Sequence, residues 1–395
     1  MAKAQIGRRQ FLALSCGAAL ASLAETKFAF AAGAPEGPAL VIVNLRGGMD
    51  GLATVVPYGD PNYAGTRRGL ALAAPGQDKG ITDLDGFFGL HPALGFCGQC
   101  HAKGEMLAVV GAASPYRERS HFDAQDVLAN GTAEPKGRSG WLNRALPFTD
   151  PGNGAVAVGS LVPLLLRGKA PVSSWIPPVT EEPDENFLAL MDRLYATDPL
   201  LGKVWQQSRD RNFRQTASGG RNENSFEQAC GIAAEMMSGE AGPRVVSLEL
   251  SGWDTHAGQG AENGRLARQF TLLDSGLERL AVGIGEERWR RTAVLVVSEF
   301  GRTVRMNGTG GTDHGTGGAA LLLGGAVQGG RVVNDWRGLD DKNLYENRDL
   351  YPSIDLRSMF KAVLHDHMKV NRKALERDVF PDSQAAKPLP DLIRA

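Results

Sequence analysis

Ala293-Val294-Leu295-Val296-Val297-Ser298-Glu299-Phe300-Gly301-Arg302-Thr303 is the stretch that decides how this chain reads. Its first five residues are apolar and mostly β-branched, and the run has the length of a buried strand. Charge and glycine then arrive together. The loop that follows, Asn307-Gly308-Thr309-Gly310-Gly311-Thr312-Asp313-His314-Gly315, holds too much glycine for a regular element. Ala319-Ala320-Leu321-Leu322-Leu323 opens another buried strand. An open α/β sheet presents a site in this way, at the carboxyl ends of its strands.

Working outward, the same pattern recurs. Ala39 to Leu45 is a strand by composition and runs into Arg46-Gly47-Gly48-Met49-Asp50-Gly51. Met106 to Val110 is a strand followed, a few residues on, by Tyr116-Arg117-Glu118-Arg119-Ser120-His121-Phe122-Asp123. Val245 to Leu250 is a strand that ends in Ser251-Gly252-Trp253-Asp254-Thr255-His256. Leu266, Phe270, Leu273, Leu277 and Leu280 mark one face of a long helix, so strand, helix and strand lead as a crossover into the opening stretch. Val156-Ala157-Val158 and Leu164-Leu165-Leu166 read as short strands, His91 to Lys103 as a helix, and Ile354 to Met368 as a last amphipathic helix. Between Pro183 and Gly239, Phe187, Leu190, Met191 and Leu194, and later Phe226, Cys230, Ala233 and Met237, recur at helical spacing. A helical insertion over about 183–240, placed as a lid, is the expectation there.

The chain has 395 residues, 42% hydrophobic and 22% charged, which suits a folded α/β protein with a sizeable core. Its formal net charge of -1 gives no basic field for nucleic acid. The first residues are expected to be address rather than fold. Arg8-Arg9 precedes an apolar run from Phe11 to Leu23 and a small-residue site at Ala29-Phe30-Ala31. This reads as a twin-arginine (Tat) signal peptide over 1–31, leaving one α/β domain over 32–395 in the periplasm or outside the cell. The apolar run is shorter than the roughly 18 residues of a transmembrane helix, and no other segment has the length to span a bilayer. Without the signal three cysteines remain, an odd number, so no complete disulfide framework is expected.

Polar clusters thus gather at four strand ends: Asp50; Ser120, His121 and Asp123; Asp254 and His256; and Glu299, with Asp313 and His314 just beyond. Asp, Glu and His converging on one edge suit a divalent ion, Zn²⁺ where nitrogen contributes and Mn²⁺ or Mg²⁺ where oxygen dominates. In an extended segment residues two apart face the same way, so Asp254 and His256 can both address one ion. Each piece also has a plainer reading. Asp50 can stabilise a turn, Ser120 can cap a helix starting at His121, Glu299 can pair with Arg302, and Asp313-His314 can be a solvated loop. His365 and His367 read as solvated residues near a helix end. Cys97-Gly98-Gln99-Cys100-His101 matches the covalent haem pattern, but it lies within the expected core helix and no second axial ligand is indicated. A pair of helical thiols or a redox-sensitive disulfide is the competing reading.

Together, Asn44-Leu45-Arg46-Gly47-Gly48-Met49-Asp50-Gly51, Ser114-Pro115-Tyr116 with Arg119-Ser120-His121-Phe122-Asp123-Ala124-Gln125-Asp126, Gly252-Trp253-Asp254-Thr255-His256 and Ser298-Glu299-Phe300-Gly301-Arg302-Thr303 resemble the motifs of the bacterial domain-of-unknown-function family 1501. That family is exported by the Tat route and is distantly similar to the alkaline phosphatase and sulfatase superfamily. The resemblance implies a three-layer sandwich around a mostly parallel sheet, with metal at its carboxyl edge. It puts Asp50 where the superfamily's first strand ends in a ligand Asp, Asp254 and His256 on its later Asp–His pair, and His314 on its last His. Phe300 stands where a ligand His is usual, the Asp254–His256 spacing is shorter than usual, and no C-x-P-x-R sequence is present. The implied activity is metal-dependent hydrolysis of a phosphate or sulfate ester, with metal drawn from Asp50, His121, Asp254, His256, Glu299, Asp313 and His314. Ser114 and Ser120 both follow the second strand, where the superfamily's nucleophile lies, with Ser120 favoured in that reading, and Arg119 or Arg302 holds the anion. From another class comes a catalytically silent envelope protein that binds a glycan or a partner through the same cleft. A c-type haem protein is the weaker third.

Overall fold

The computed structural model describes residues 37–149, 154–159, 161–175, 194–195, 225–239 and 242–394. Among them are strands β1 (Ala39–Arg46), β2 (Val55–Val56), β3 (Thr82–Asp83), β4 (Gly89–Leu90), β5 (Met106–Ala113), β6 (Ala155–Val158), β7 (Ser173–Trp175), β8 (Val245–Ser251), β9 (Thr292–Ser298), β10 (Gly318–Leu323), β11 (Arg331–Val333) and β12 (Ile354–Asp355). A 9-stranded sheet runs in the order β11-β5-β10-β9-β1-β8-β6-β7, with β12 also on β5. Every pairing is parallel except those of β10, which is antiparallel to β9 and β5. The carboxyl ends of β1, β5, β8 and β9 therefore share one edge. The mixed, mostly parallel α/β architecture expected from the sequence is the one found, and all five principal strands lie in it.

The burial pattern of β1 explains its central place. Flanked by β9 and β8, it must be apolar on both faces. Val41, Val43 and Leu45 enter a core shared with helices Ser225–Ser238 and Arg265–Trp289. Leu40 and Ile42 enter a second core with Trp141 and helix Leu356–Ala362. The sheet thus lies between two helical layers, and each side chain fully buried this way contributes about 1.5–3 kcal/mol. Leu266, Phe270, Leu273, Leu277 and Leu280 all point into the first core, as their spacing predicts. Phe226, Cys230, Ala233 and Met237 line the same core from Ser225–Ser238. Phe187, Leu190 and Met191 lie outside the described residues.

Several local readings need correction. Leu164–Leu166 is a 3-10 turn rather than a strand, started by Pro163, whose ring cannot donate to a ladder. The helix expected from His91 begins only at Gly95, because His91-Pro92 is held in a turn by the Ala93 and Leu94 N–H groups. The last helix starts at Leu356, capped by Asp355, and continues through a wider turn at Val363–His367. Residues Leu356–Leu364 are buried on every side, Lys361 included, so it is a core helix and not an amphipathic one. Lys361 is accommodated by Glu376 at 2.9 Å and the Ser383 carbonyl at 2.7 Å. His367 is likewise buried, with Nε2 on the Ala39 carbonyl at 2.8 Å, rather than solvated.

Candidate metal centre

Four strand ends deliver the centre. After β8 burial alternates: Trp253 and Thr255 are fully buried, while Asp254 and His256 are partly exposed. That is the period of two at work. The β1 tip comes close at Gly47, where φ is +125° and a Cβ would lie 2.5 Å from the Asp254 nitrogen. Only glycine fits there. His121 opens the helix His121–Asn130 after β5. His314 is carried by the glycine loop after β9, which folds back so that Arg302 and His314 form an antiparallel bridge. A Cβ at Gly315 would lie 2.4 Å from the Arg302 carbonyl carbon, so this fold-back also requires glycine.

Among the described residues, His121, Asp254 and His314 form the group whose ligand atoms all lie within 4.8 Å of one another. Asp254 Oδ1 is 3.6 Å from His121 Nε2 and 3.4 Å from His314 Nε2. His256 Nε2 joins them, 3.1 Å from the same oxygen and 2.9 Å from His314 Nε2. The other ring nitrogens all face acceptors. His121 Nδ1 lies 2.7 Å from Glu299 Oε1, His256 Nδ1 3.1 Å from Asp313 Oδ1, and His314 Nδ1 2.9 Å from the Arg119 carbonyl. Since carboxylates and carbonyls only accept, each Nδ1 carries the proton. In their neutral forms all three imidazoles then aim a lone pair from Nε2 at a carboxylate oxygen or at each other. The buried His121 Nε2 has no hydrogen-bond partner. Such a convergence of lone pairs is unfavourable unless a cation, proton or metal, joins them.

The same contacts set the electrostatics. The hydrogen bond to Glu299 raises the His121 pKa despite its partial burial. Burial lowers that of His314, helped by the positive groups around it. Burial pushes the Glu299 carboxyl up, but the bonds from His121, Gln125 and the Gly47 N–H bring it below the ordinary range. Asp254 is likewise pushed up by burial and brought down further by Arg302, whose Nη1 donates at 2.8 Å. Asp313 is lowered by the Asn307 side chain. Both carboxylates behind the imidazoles are ionised, the arrangement that orients metal-ligating histidines through their outer nitrogen.

The remaining residues singled out from the sequence do other things. Asp50 is 1% exposed and takes Arg67 Nη2 at 2.5 Å, Gln259 Nε2 at 2.7 Å and the Leu52 and Ala53 N–H groups. It caps a short helix and stands outside the His–Asp–His group. Glu299 supports His121 instead of pairing with Arg302, which is bound to Asp254 and Thr312. The Arg119 guanidinium is held by Asp349 at 3.0 Å and by Glu346. Ser120 occupies the N-cap position of the His121 helix, but its hydroxyl makes no capping bond. The Asp313-His314 loop is tied down rather than merely solvated. Cys97 and Cys100 are buried free thiols on helix Gly95–Ala102, and burial pushes Cys100 up to about 12 and Cys97 well above its ordinary value. Neither sulfur is presented for attachment of haem.

Sequence reasoning passed over four residues that matter here. Gln125 donates to Glu299 at 3.2 Å, one helical turn from His121, a spacing that could have flagged it. Asn307 donates to Asp313 Oδ1 and the His256 carbonyl while accepting from Thr309 and Gly311, the local bonding typical of an Asn-Gly turn. Gln259 ties Asp50 to Thr255 and Thr312, and Arg67 neutralises Asp50; neither carries a local signal.

Among solved structures, Ps i-CgsB in complex with k-i-k-neocarrahexaose is similar at 8% identity and a TM-score of 0.45, covering 89% of this chain and 77% of that one. A sulfatase from Pseudoalteromonas sp. gives 12% identity, a TM-score of 0.40, and coverage of 89% and 71%. The phosphonate monoester hydrolase of Agrobacterium radiobacter gives 10%, 0.33, and 85% and 74%. No curated protein matches the chain. No helix of the described residues is long and apolar enough to cross a membrane. Residues 38–379 match the model of the family described as a protein of unknown function, DUF1501, and the chain belongs to that family.

Proposed function

We propose that His121, Asp254 and His314, with His256 beside them, hold one divalent cation, and that the protein hydrolyses an anionic phosphate or sulfate ester there. The convergence of Nε2 atoms on Asp254 Oδ1, with the orphaned His121 Nε2 among them, is the observation that carries the metal. Nitrogen-rich donors with one carboxylate favour Zn²⁺ over Mg²⁺. The cation would act as a Lewis acid on an ester oxygen. The protein's part is to hold the rings: Glu299, Asp313 and the Arg119 carbonyl keep each outer proton in place, and Arg302 keeps Asp254 charged. Ser120 is the candidate nucleophile because it directly precedes His121. The ester class rests on the resemblance of the strand-tip motifs. Export by the Tat route rests on Arg8-Arg9, and replacing both by Lys should block it; undiminished export would end that reading.

A second reading has its own support. Arg119 and Arg302, the residues meant to grip an anion, are already engaged by Asp349, Glu346, Asp254 and Thr312. A metal centre that binds a glycan or partner without turnover fits that arrangement. The deciding experiment combines elemental analysis of the purified protein with a panel of phospho- and sulfo-esters. About one equivalent of zinc or manganese with ester turnover supports the first reading, and metal without turnover supports the second. His314→Ala should lower bound metal, and should lower thermal stability only when metal is supplied. Equal metal in His314→Ala and the unaltered protein would sink the centre.

A further inference from the structure

Beside the metal centre, on the far side of Gln125, lies a second opening. It is a cavity of about 570 Å³ between the carboxyl ends of β1, β8 and β6 and the helix His121–Asn130. That volume falls in the range of small-molecule sites. Its origin is visible strand by strand. On β1 and β8 the face toward the first core is apolar to the end, Val43 and Leu45 on one and Leu248 and Leu250 on the other. The opposite face turns polar where the strands leave the second core: Asn44 and Arg46 on β1, Ser247 and Glu249 on β8. A two-residue period that changes from apolar to polar on one face only does not serve packing.

Two polar atoms of the lining residues lie beneath the floor, closed off from the cavity. Ser247 is 2% exposed and its hydroxyl has no hydrogen-bond partner; the buried Asn44 Oδ1 has none either. At the mouth Arg46 and Glu249 form a half-exposed pair at 3.3 Å. The charged lining residues are Arg46, Arg167, Asp126 and Glu249, two of each sign, so the cavity has no net field to draw an ion. The wall from β6 and the following segment is apolar.

We infer that this cavity is a binding site for a neutral polyhydroxylated ring, a saccharide unit. Such a ligand has hydroxyls that donate to Asp126 and accept from Arg46, and C–H faces that suit the apolar wall. It carries no charge to be repelled by either sign. The inference does not depend on the hydrolase reading. The two sites are nevertheless linked, because Gln125 accepts from Arg46 at 2.6 Å and donates to Glu299, which holds His121.

Calorimetric titration of the full chain tests it, with glucose, galactose and cellobiose as neutral probes and glucose 6-phosphate and inorganic sulfate as charged controls. At least one neutral probe should bind saturably near one equivalent, with or without added metal, and in the presence of chelator the charged controls should bind more weakly. Asp126→Ala should weaken that probe at least tenfold. Glu249→Ala, at the half-exposed mouth where folding is not at stake, should weaken it several-fold. Absence of saturable binding by every neutral probe, preference for the charged controls in the presence of chelator, or unchanged affinity in both variants would overturn the assignment. Loss of binding only after chelation would also overturn it, since the ligand would then sit on the metal.

Discussion

Asp50 and Asp254 are both carboxylates at the tips of adjacent strands, and the structure treats them in opposite ways. Asp50 is closed. Arg67, Gln259 and two backbone N–H groups surround it, and it is 1% exposed. Asp254 is open. Its side chain is 44% exposed, and a single oxygen faces Arg302 together with three imidazole nitrogens. A strand-tip carboxylate is thus part of the frame when protein donors fill its lone pairs, and part of a site when what faces it are acceptors. His91 belongs with the closed side: the Ala93 N–H donates to its Nδ1 and its Nε2 donates to the Ala261 carbonyl, so both nitrogens are satisfied in the neutral form.

The comparison can be broken most forcefully at Asp50. Asp50→Ala strands the fully buried Arg67 and should cost about 3–5 kcal/mol in chemical denaturation, equally with and without chelator. A metal-dependent loss would place Asp50 on the open side after all. The next effect is one of pH. Burial lowers the His91 pKa from 6.5 to about 4, so the unfolded chain binds a proton that the folded chain refuses between those values. The stability is fully present above the unfolded pKa and is lost as pH falls through the folded one, by up to about 3 kcal/mol. His91→Asn should flatten the decline in melting temperature over that window, and identical profiles for variant and parent would remove His91 from the closed side.

On the open side the effects depend on what is added. Zn²⁺ at a hundred times its dissociation constant should stabilise the unaltered protein by about 2.7 kcal/mol. His256→Ala should lose much of that gain while changing the chelated protein by no more than about 0.5 kcal/mol. Melting curves with and without metal separate the two. The smallest expected effect is at Ser120, whose hydroxyl makes no capping bond: Ser120→Ala should alter stability by less than about 0.5 kcal/mol. If ester turnover exists and survives Ser120→Ala unchanged, the nucleophile lies elsewhere.

Some of this was legible in the residues alone because it is local. Five apolar runs became strands of one sheet, since a β-branched run has to be buried on both faces whatever surrounds it. Leu266 to Leu280 showed its helix face by spacing, and Asp254 and His256 shared a side because an extended chain alternates. The sequence also brought out His121, Asp254, His256 and His314 as candidates, each at a strand end or in the glycine loop. Tertiary structure alone decided which of the candidates meet and in what state. Arg67 closes Asp50 across a loop, and Glu299 orients His121 across 178 positions of chain. Gln259 joins Asp50 to the loop of His314. Hydrogen-bond partners so far apart in sequence leave no period or spacing to read. Whether a carboxylate is filled or left facing lone pairs is settled only when the sheet brings its tips together.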